Sequence, residues 1–121
     1  MTTSSGIKIS DKAVVESSEI GAGTVIDEFA IVRAGAIIGR NVHIHPYVIV
    51  GSGVDIGDDV EVFPGAFLGK EPKGASATSR TIEFNRKISI GSGCSIGPHV
   101  VISGPTIIGQ KNKIFQFASV G

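Results

Sequence analysis

Aliphatic residues recur at every sixth position along most of the chain, with one interruption. A strand repeats about every two residues and a helix about every 3.6, so a six-residue step fits neither element alone. It fits a short strand followed by a corner, used repeatedly. The aliphatic series is Val14, Ile20, Ile26, Val32, Ile38, Ile44, Val50, Ile56, Val62 and Leu68, followed after the interruption by Ile90, Ile96, Ile102, Ile108, Ile114 and Val120.

The other positions of each six-residue repeat follow the same logic. Two residues before the aliphatic position stands a small or medium side chain such as Thr24, Ala30 or Cys94, and the residue in between is usually polar, as Glu61 is. Because alternate strand residues share a face, the aliphatic and small residues point inward and the polar one points outward. Gly or Pro then marks the corner. The pattern predicts triangular coils of three repeats, stacked about 4.8 Å apart by parallel pairing.

Composition narrows the class of protein. The chain has 121 residues, 17 Gly, one Cys and a formal net charge of zero. We expect one all-β domain at residues 7–121 behind a flexible tail at 1–6, with Cys94 as a packed thiol. A membrane-spanning helix needs about 20 consecutive apolar residues, and every apolar run in this sequence is much shorter. No secretion signal and no run of basic residues is evident. These features favour a cytoplasmic protein with neither membrane insertion nor nucleic-acid binding.

The interruption is a candidate substrate-binding loop. From Leu68 to Ile90 is 22 residues where one repeat needs six, so an inserted loop is predicted at about 70–87. Such an insertion must leave the column at a corner. It is either a solvated surface loop or a basic arm over a phosphate-bearing ligand, since Lys and Arg pair with phosphate. Its basic residues are Lys70, Lys73, Arg80, Arg86 and Lys87.

Particular segments resemble a known family. The repeats are similar to those of the hexapeptide-repeat acyltransferases, and "GKEPKGA" with "IGSGCSIGPHVVI" resembles the sugar-nucleotide members. The end, "GPTIIGQKNKIFQFASVG", resembles the UDP-N-acetylglucosamine O-acyltransferases of lipid A synthesis. The resemblance implies a single-domain left-handed parallel β-helix, a hand that the general rule for parallel crossovers does not favour. It also implies a homotrimer with sites in the clefts between subunits.

The implied activity is transfer of an acyl group to a nucleotide-sugar or amino-sugar acceptor. The donor and co-substrate would be a coenzyme A or acyl-carrier-protein thioester, and no tightly bound cofactor is expected. In the resembled family the catalytic histidine lies beyond the matching segment, so a natural fragment, a truncated gene and a fusion remain open. The alternative function is a non-catalytic β-solenoid trimer that acts as a structural or assembly module.

Histidines are the candidate general bases within the chain. Imidazole commonly removes the proton from a hydroxyl or amine that attacks a carbonyl. His43 and His45 flank Ile44 and should point outward, with Asp27 one coil away as the carboxylate expected to orient His45. We rank His99 first, because it lies at a corner of the coil that resumes after the loop, and His45 second.

Two further expectations concern metal and aromatic residues. No metal site is predicted, because His43 and His45 alternate on one strand without an evident third ligand. Phe63, Phe115 and Phe117 fall on outward positions and are expected to be exposed, either as subunit contacts or as the cut end of a longer solenoid.

Overall fold

The computed structural model describes residues 6–70, 87–116 and 118–120. In this part of the chain every regular element is a short strand. The strands are β1 (Lys8–Ile9), β2 (Val14–Val15), β3 (Val25–Ile26), β4 (Ile31–Val32), β5 (Ile37–Ile38), β6 (His43–Ile44), β7 (Ile49–Val50), β8 (Val54–Ile56), β9 (Glu61–Val62), β10 (Phe67–Lys70), β11 (Ile88–Ile90), β12 (Ser95–Ile96), β13 (Val101–Ser103), β14 (Thr106–Ile108), β15 (Lys113–Ile114) and β16 (Ser119–Val120).

The strands form the three sides of a triangular column. Face A contains β1, β3, β6, β9, β12 and β15; face B contains β2, β4, β7, β10, β13 and β16; face C contains β5, β8, β11 and β14. All pairs are parallel, and Ile26, Ile44 and Val62 are successive partners on face A, 18 residues apart. The chain is therefore a single left-handed parallel β-helix of about five coils, as predicted.

The core is one continuous column of aliphatic side chains. From Ile26 to Ile108 the aliphatic residues of the six-residue series are almost completely buried, among them Ile44, Val62, Leu68 and Ile96 at 0% exposure. Ile20, Ile114 and Val120, near the ends of the series, are partly buried and pack against this core. The buried hydroxyl of Thr24 donates to the carbonyl oxygen of Gly39 at 2.9 Å, so this polar inward residue is satisfied. Cys94 is buried as predicted, and its thiol donates to the carbonyl oxygen of Gly109 at 3.0 Å.

The N-terminal coil departs from the predicted register. Val15, not Val14, pairs with Val32, and Ile9 pairs with Ile26, so this coil has 17 residues instead of 18. Val14 is 48% exposed, whereas Val15 packs against the core. The prediction that Val14 points inward is wrong, because a shift of one residue on a strand turns a side chain to the opposite face.

The predicted loop leaves the column at the corner between faces B and C. Its described ends are Lys70, which closes β10, and Lys87, which precedes β11. The remainder, residues 71–86, lies outside the described residues. The strands on either side stay in register, since Leu68 pairs with Val50 and Ile90 pairs with Ile56. None of the described residues forms a helix long and apolar enough to cross a membrane.

The corrected N-terminal register can be tested with two neighbouring substitutions. We expect Val15→Asp to lower the free energy of unfolding by more than about 1 kcal/mol, because it brings a carboxylate against the apolar column. Val14→Asp, on the exposed side of the same strand, should stay within about 0.5 kcal/mol of the parent. Urea unfolding at one protein concentration measures both, and the reverse order would restore Val14 as the inward residue.

The loop should contribute little to folding. Replacing residues 70–87 with Ser-Gly joins Gly69 to Ile88 in the pattern of the uninterrupted corner Gly51-Ser52-Gly53-Val54 of the preceding coil. The melting temperature should change little, because the length of a surface loop has only a small effect on the entropy of closing it. A large loss of stability would show that residues of the loop pack against the column or a neighbouring subunit.

Candidate functional site

All three histidines lie on face A or at the corner that joins it to face B. His43 is the outward residue of β6, His45 follows that strand, and His99 lies at the equivalent corner two coils further along. This region therefore contains all the predicted catalytic histidines. The residues around each of them show which lies nearest to a possible binding surface.

His43 and His45 form a compact cluster with two carboxylates. Nε2 of His43 is 2.8 Å from Oδ2 of Asp27, and Nε2 of His45 is 2.7 Å from Oε2 of Glu61. The two imidazole rings stack with centroids 4.0 Å apart. We call Asp27, His43, His45 and Glu61 the histidine cluster. Each ring is oriented by its own acid.

The cluster follows from the repeat but corrects one pairing. On three successive coils, the outward residue of the strand is Val25, His43 or Glu61, and the first corner residue is Asp27, His45 or Phe63. Asp27 was expected to orient His45, its neighbour in the same column. The structure instead pairs Asp27 with His43 and Glu61 with His45, so both hydrogen bonds cross diagonally between the two columns.

A third potential metal ligand also lies in this cluster. One donor atom each from Asp27, His43 and His45 lie within 4.8 Å of one another. In the sequence only the two histidines lie close together, so no metal site was predicted. Asp27 is 16 residues before His43 in the chain, and stacking of the coils brings it to the same place.

A groove lies higher on the same face. It encloses about 450 Å³ and is lined by Phe63, Ser95, Gly97, Pro98, Lys113, Ile114, Phe115 and Gln116. Gly97 creates the space, because it occupies the column position between the two phenylalanines and has no side chain. A Cβ there would lie 2.8 Å from the Ile114 carbonyl oxygen, so the close approach of the next coil also requires glycine. The volume lies within the range of small-molecule sites.

His99 is the chain neighbour of one residue of this groove. It directly follows Pro98, and its backbone has φ of 59°, the left-handed conformation shared by Tyr47 at the equivalent corner position. Its ring lies over Gly65, where a Cβ would be 2.5 Å from the imidazole Nδ1. Gly65 in turn is two residues after Phe63, which lines the groove. The exposed His99 is therefore next in the chain to a groove residue, and its ring lies over the corner that begins with another groove residue, Phe63.

Phe63 separates His45 from the groove. The rings of His45 and Phe63 stack with centroids 5.0 Å apart, while Gly97 and the groove lie on the next coil. Phe63 is half-buried, so the prediction that it is exposed is wrong, because the imidazole covers one face of the ring. Phe115 is 78% exposed, as predicted, and Phe117 lies outside the described residues.

The predicted basic residues are only partly described. Lys87 is exposed, and its Nζ lies 3.9 Å from Oδ2 of Asp55 on face C. The backbone of Lys70 pairs with Ser103 on face B. Lys73, Arg80 and Arg86 fall outside the described residues. The described ends of the loop therefore lie at the B–C corner, whereas His99 lies at the A–B corner.

Sequence reasoning missed several residues that surround the candidate site. Glu61 was identified only as an outward polar residue, and no functional role was predicted for Lys113 or Gly97. The signal that would have placed them is the coil spacing. Together with the 16 inserted residues, it aligns Glu61 with Ser95 and Lys113 on one column, and Phe63 with Gly97 and Phe115 on the next.

Comparison with known proteins supports the fold and the family. The model of the family "Bacterial transferase hexapeptide (six repeats)" matches residues 17–52 and 35–70. An acyl-[acyl-carrier-protein]–UDP-N-acetylglucosamine O-acyltransferase from Tolumonas auensis is 57% identical over 35 residues, which are 29% of this chain and 13% of that protein. The sequence likeness to this enzyme is therefore local.

Solved structures match over nearly the whole chain. The acetyltransferase domain of PglB from Neisseria gonorrhoeae superimposes with a TM-score of 0.79 at 22% identity, covering 95% of this chain and 49% of that one. The UDP-N-acetylglucosamine acyltransferase of Francisella novicida gives 0.79 at 24% identity, covering 93% and 43%. This chain thus spans about half the length of either structure. Its repeats, its fold and a family model that matches residues 17–70 make this chain similar to the bacterial hexapeptide transferases.

Proposed function

We propose that this chain is an acyltransferase-like protein that moves an acyl group from a thioester to a nucleotide-sugar or amino-sugar acceptor. The observation that carries the proposal is the groove between Phe63 and Phe115, which is lined by Lys113 and by Pro98, the residue that precedes His99. The local identity to an O-acyltransferase that acts on UDP-N-acetylglucosamine supports the reaction class.

The groove suits a flat, phosphate-bearing acceptor. Phe63 and Phe115 are two coils apart, about 9.6 Å, so a ring placed midway lies about 4.8 Å from each and within stacking range. Lys113 is exposed and supplies a positive charge that pairs with phosphate. Ser95 and Gln116 add hydrogen-bonding groups that orient sugar hydroxyls.

His99 is the proposed general base. Its imidazole removes the proton from the acceptor hydroxyl or amine, and the oxygen or nitrogen then attacks the thioester carbonyl carbon. The carbon–sulfur bond breaks, the thiolate leaves with the donor, and the imidazolium returns the proton to it. His45 is the second candidate, but the Phe63 ring lies between it and the groove.

Coenzyme A or an acyl carrier protein is the proposed donor. The acetyltransferase domain of PglB has also been solved in complex with acetyl coenzyme A, and it superimposes on 94% of this chain with a TM-score of 0.74 at 20% identity. Coenzyme A carries phosphates. These phosphates, or those of a nucleotide-sugar acceptor, are proposed to contact the basic residues of the predicted loop, which are Lys70, Lys73, Arg80, Arg86 and Lys87.

Turnover can be followed by release of the free thiol from acyl-coenzyme A or acyl carrier protein, across a panel of nucleotide-sugar and amino-sugar acceptors. We expect His99→Ala to lower turnover by about 10²–10⁴, the usual loss for a general base. Tyr47→Ala is the matched control, because it also removes a ring at a left-handed corner position, with φ of 63°. It should retain turnover.

The outcomes separate the alternatives. Full activity of His99→Ala would exclude His99 and transfer the role to His45, which is then tested by His45→Ala. Equal losses in His99→Ala and Tyr47→Ala would attribute the effect to the corner and not to the imidazole. No turnover by the parent protein with any acceptor would favour a non-catalytic solenoid trimer.

The proposal includes assembly into a homotrimer. Large apolar side chains are exposed on the single chain, including Ile107 at 86%, Phe115 at 78% and Tyr47 at 64%. Closed cyclic symmetry is the usual way for identical chains to bury such surface. Size-exclusion chromatography with light scattering at micromolar concentration should give the mass of three chains, and a stable monomer would contradict this.

A further inference from the structure

The histidine cluster has the donor set of a transition-metal site. Asp27, His43 and His45 each offer one donor atom, and these atoms lie within 4.8 Å of one another. Two imidazole nitrogens and a carboxylate oxygen are ligands typical of Zn²⁺, whereas Ca²⁺ and Mg²⁺ prefer oxygen alone. We propose that Asp27, His43 and His45 bind a divalent transition metal, for which Zn²⁺ is the best-fitting probe.

The distances require only a local adjustment. Ligand bonds of about 2.0–2.2 Å to a tetrahedral Zn²⁺ place the donor atoms about 3.3–3.5 Å apart. Nε2 of His43 and Oδ2 of Asp27 are already 2.8 Å apart, so the ion replaces the proton that these atoms share. Because the three donor atoms lie within 4.8 Å of one another, bringing them to this spacing takes at most about 1.4 Å of side-chain movement. The side chains of His43 and Asp27 are 41% and 28% exposed, which leaves their rotamers room to move.

Glu61 supplies the outer support that such sites use. Its Oε2 lies 2.7 Å from Nε2 of His45. A carboxylate that holds one ring nitrogen of a ligating histidine fixes the ring and raises the basicity of the other nitrogen. Stacking against Phe63 on one side and His43 on the other further restricts the His45 ring.

The ion would join two coils. Asp27 follows β3, whereas both histidines belong to the coil of β6, so the metal adds a cross-link beside the backbone pairing of these strands. Binding to the folded protein alone then stabilises it. The site is separate from the groove and from the proposed base, because Phe63 lies between the cluster and the groove and His99 is not one of the ligands.

Isothermal titration of chelator-treated protein with ZnCl₂ tests the proposal. We expect saturation at one ion per chain and a melting temperature that rises with the concentration of Zn²⁺, with no comparable effect of MgCl₂. His43→Ala and Asp27→Asn should each weaken binding more than about 10-fold, and Glu61→Gln by about 10–100-fold as an outer-shell change. His99→Ala removes a histidine outside the cluster and should bind as the parent does.

A measurement without substitutions in the histidine cluster keeps the test decisive if a cluster variant fails to fold. In ¹⁵N-labelled protein, Zn²⁺ should shift the ring-nitrogen resonances of two histidines, and the His99→Ala protein should show the same two shifts. Three results would each overturn the proposed site. They are the absence of saturable Zn²⁺ binding, an unchanged affinity in His43→Ala, and resonance shifts confined to the histidine that His99→Ala lacks. Acyl transfer is measured separately in chelator-treated protein, so failure of one proposal leaves the other standing.

Discussion

The hydrogen bonds between successive coils are the constraint on which the rest of the structure depends. The backbone amides of His43 and His45 donate to the carbonyl oxygens of Val60 and Val62, both at 3.0 Å, and the same pattern recurs along each face. Each full coil therefore repeats its predecessor residue by residue. An inward aliphatic side chain stacks on another, and an outward polar side chain is placed in a column of its own. The core and the chemistry of the surface follow from the same pairing.

This constraint explains why the fold could be predicted from the sequence. A six-residue period specifies an inward position, an outward position and a corner, and Ile44, Val62 and Ile96 are completely buried where the period puts them. The error at Val14 has an equally simple cause. The six-residue period was extended into a coil that is one residue shorter than the others. Because positions 14 and 15 are both valine, the sequence gives no sign of this change in register.

The candidate site could be predicted only in part. Outward columns place Asp27, His43, His45 and Glu61 near one another, but they do not decide which acid bonds which ring. Side-chain torsions decide that, and both hydrogen bonds join residues 16 apart, across the columns and not along them. The half-burial of Phe63 is a second such case, because it depends on the stacking of the His45 ring over it. Periodicity therefore gives the neighbourhood, and torsions give the contacts.

Glycine positions determine where the surface opens. In a column of similar coils, each outward side chain packs against the equivalent side chains of the neighbouring coils. A binding space therefore needs an outward position that has no side chain, which means a glycine. Gly97 provides one between Phe63 and Phe115, and Gly65 provides another, into which the ring of His99 settles. Both glycines lie on the A–B corner, where the backbone of the next coil or a neighbouring ring approaches too closely for a Cβ. The tight stacking that excludes a side chain at these positions thus leaves no side chain between Phe63 and Phe115, and it leaves room over Gly65 for the imidazole of His99.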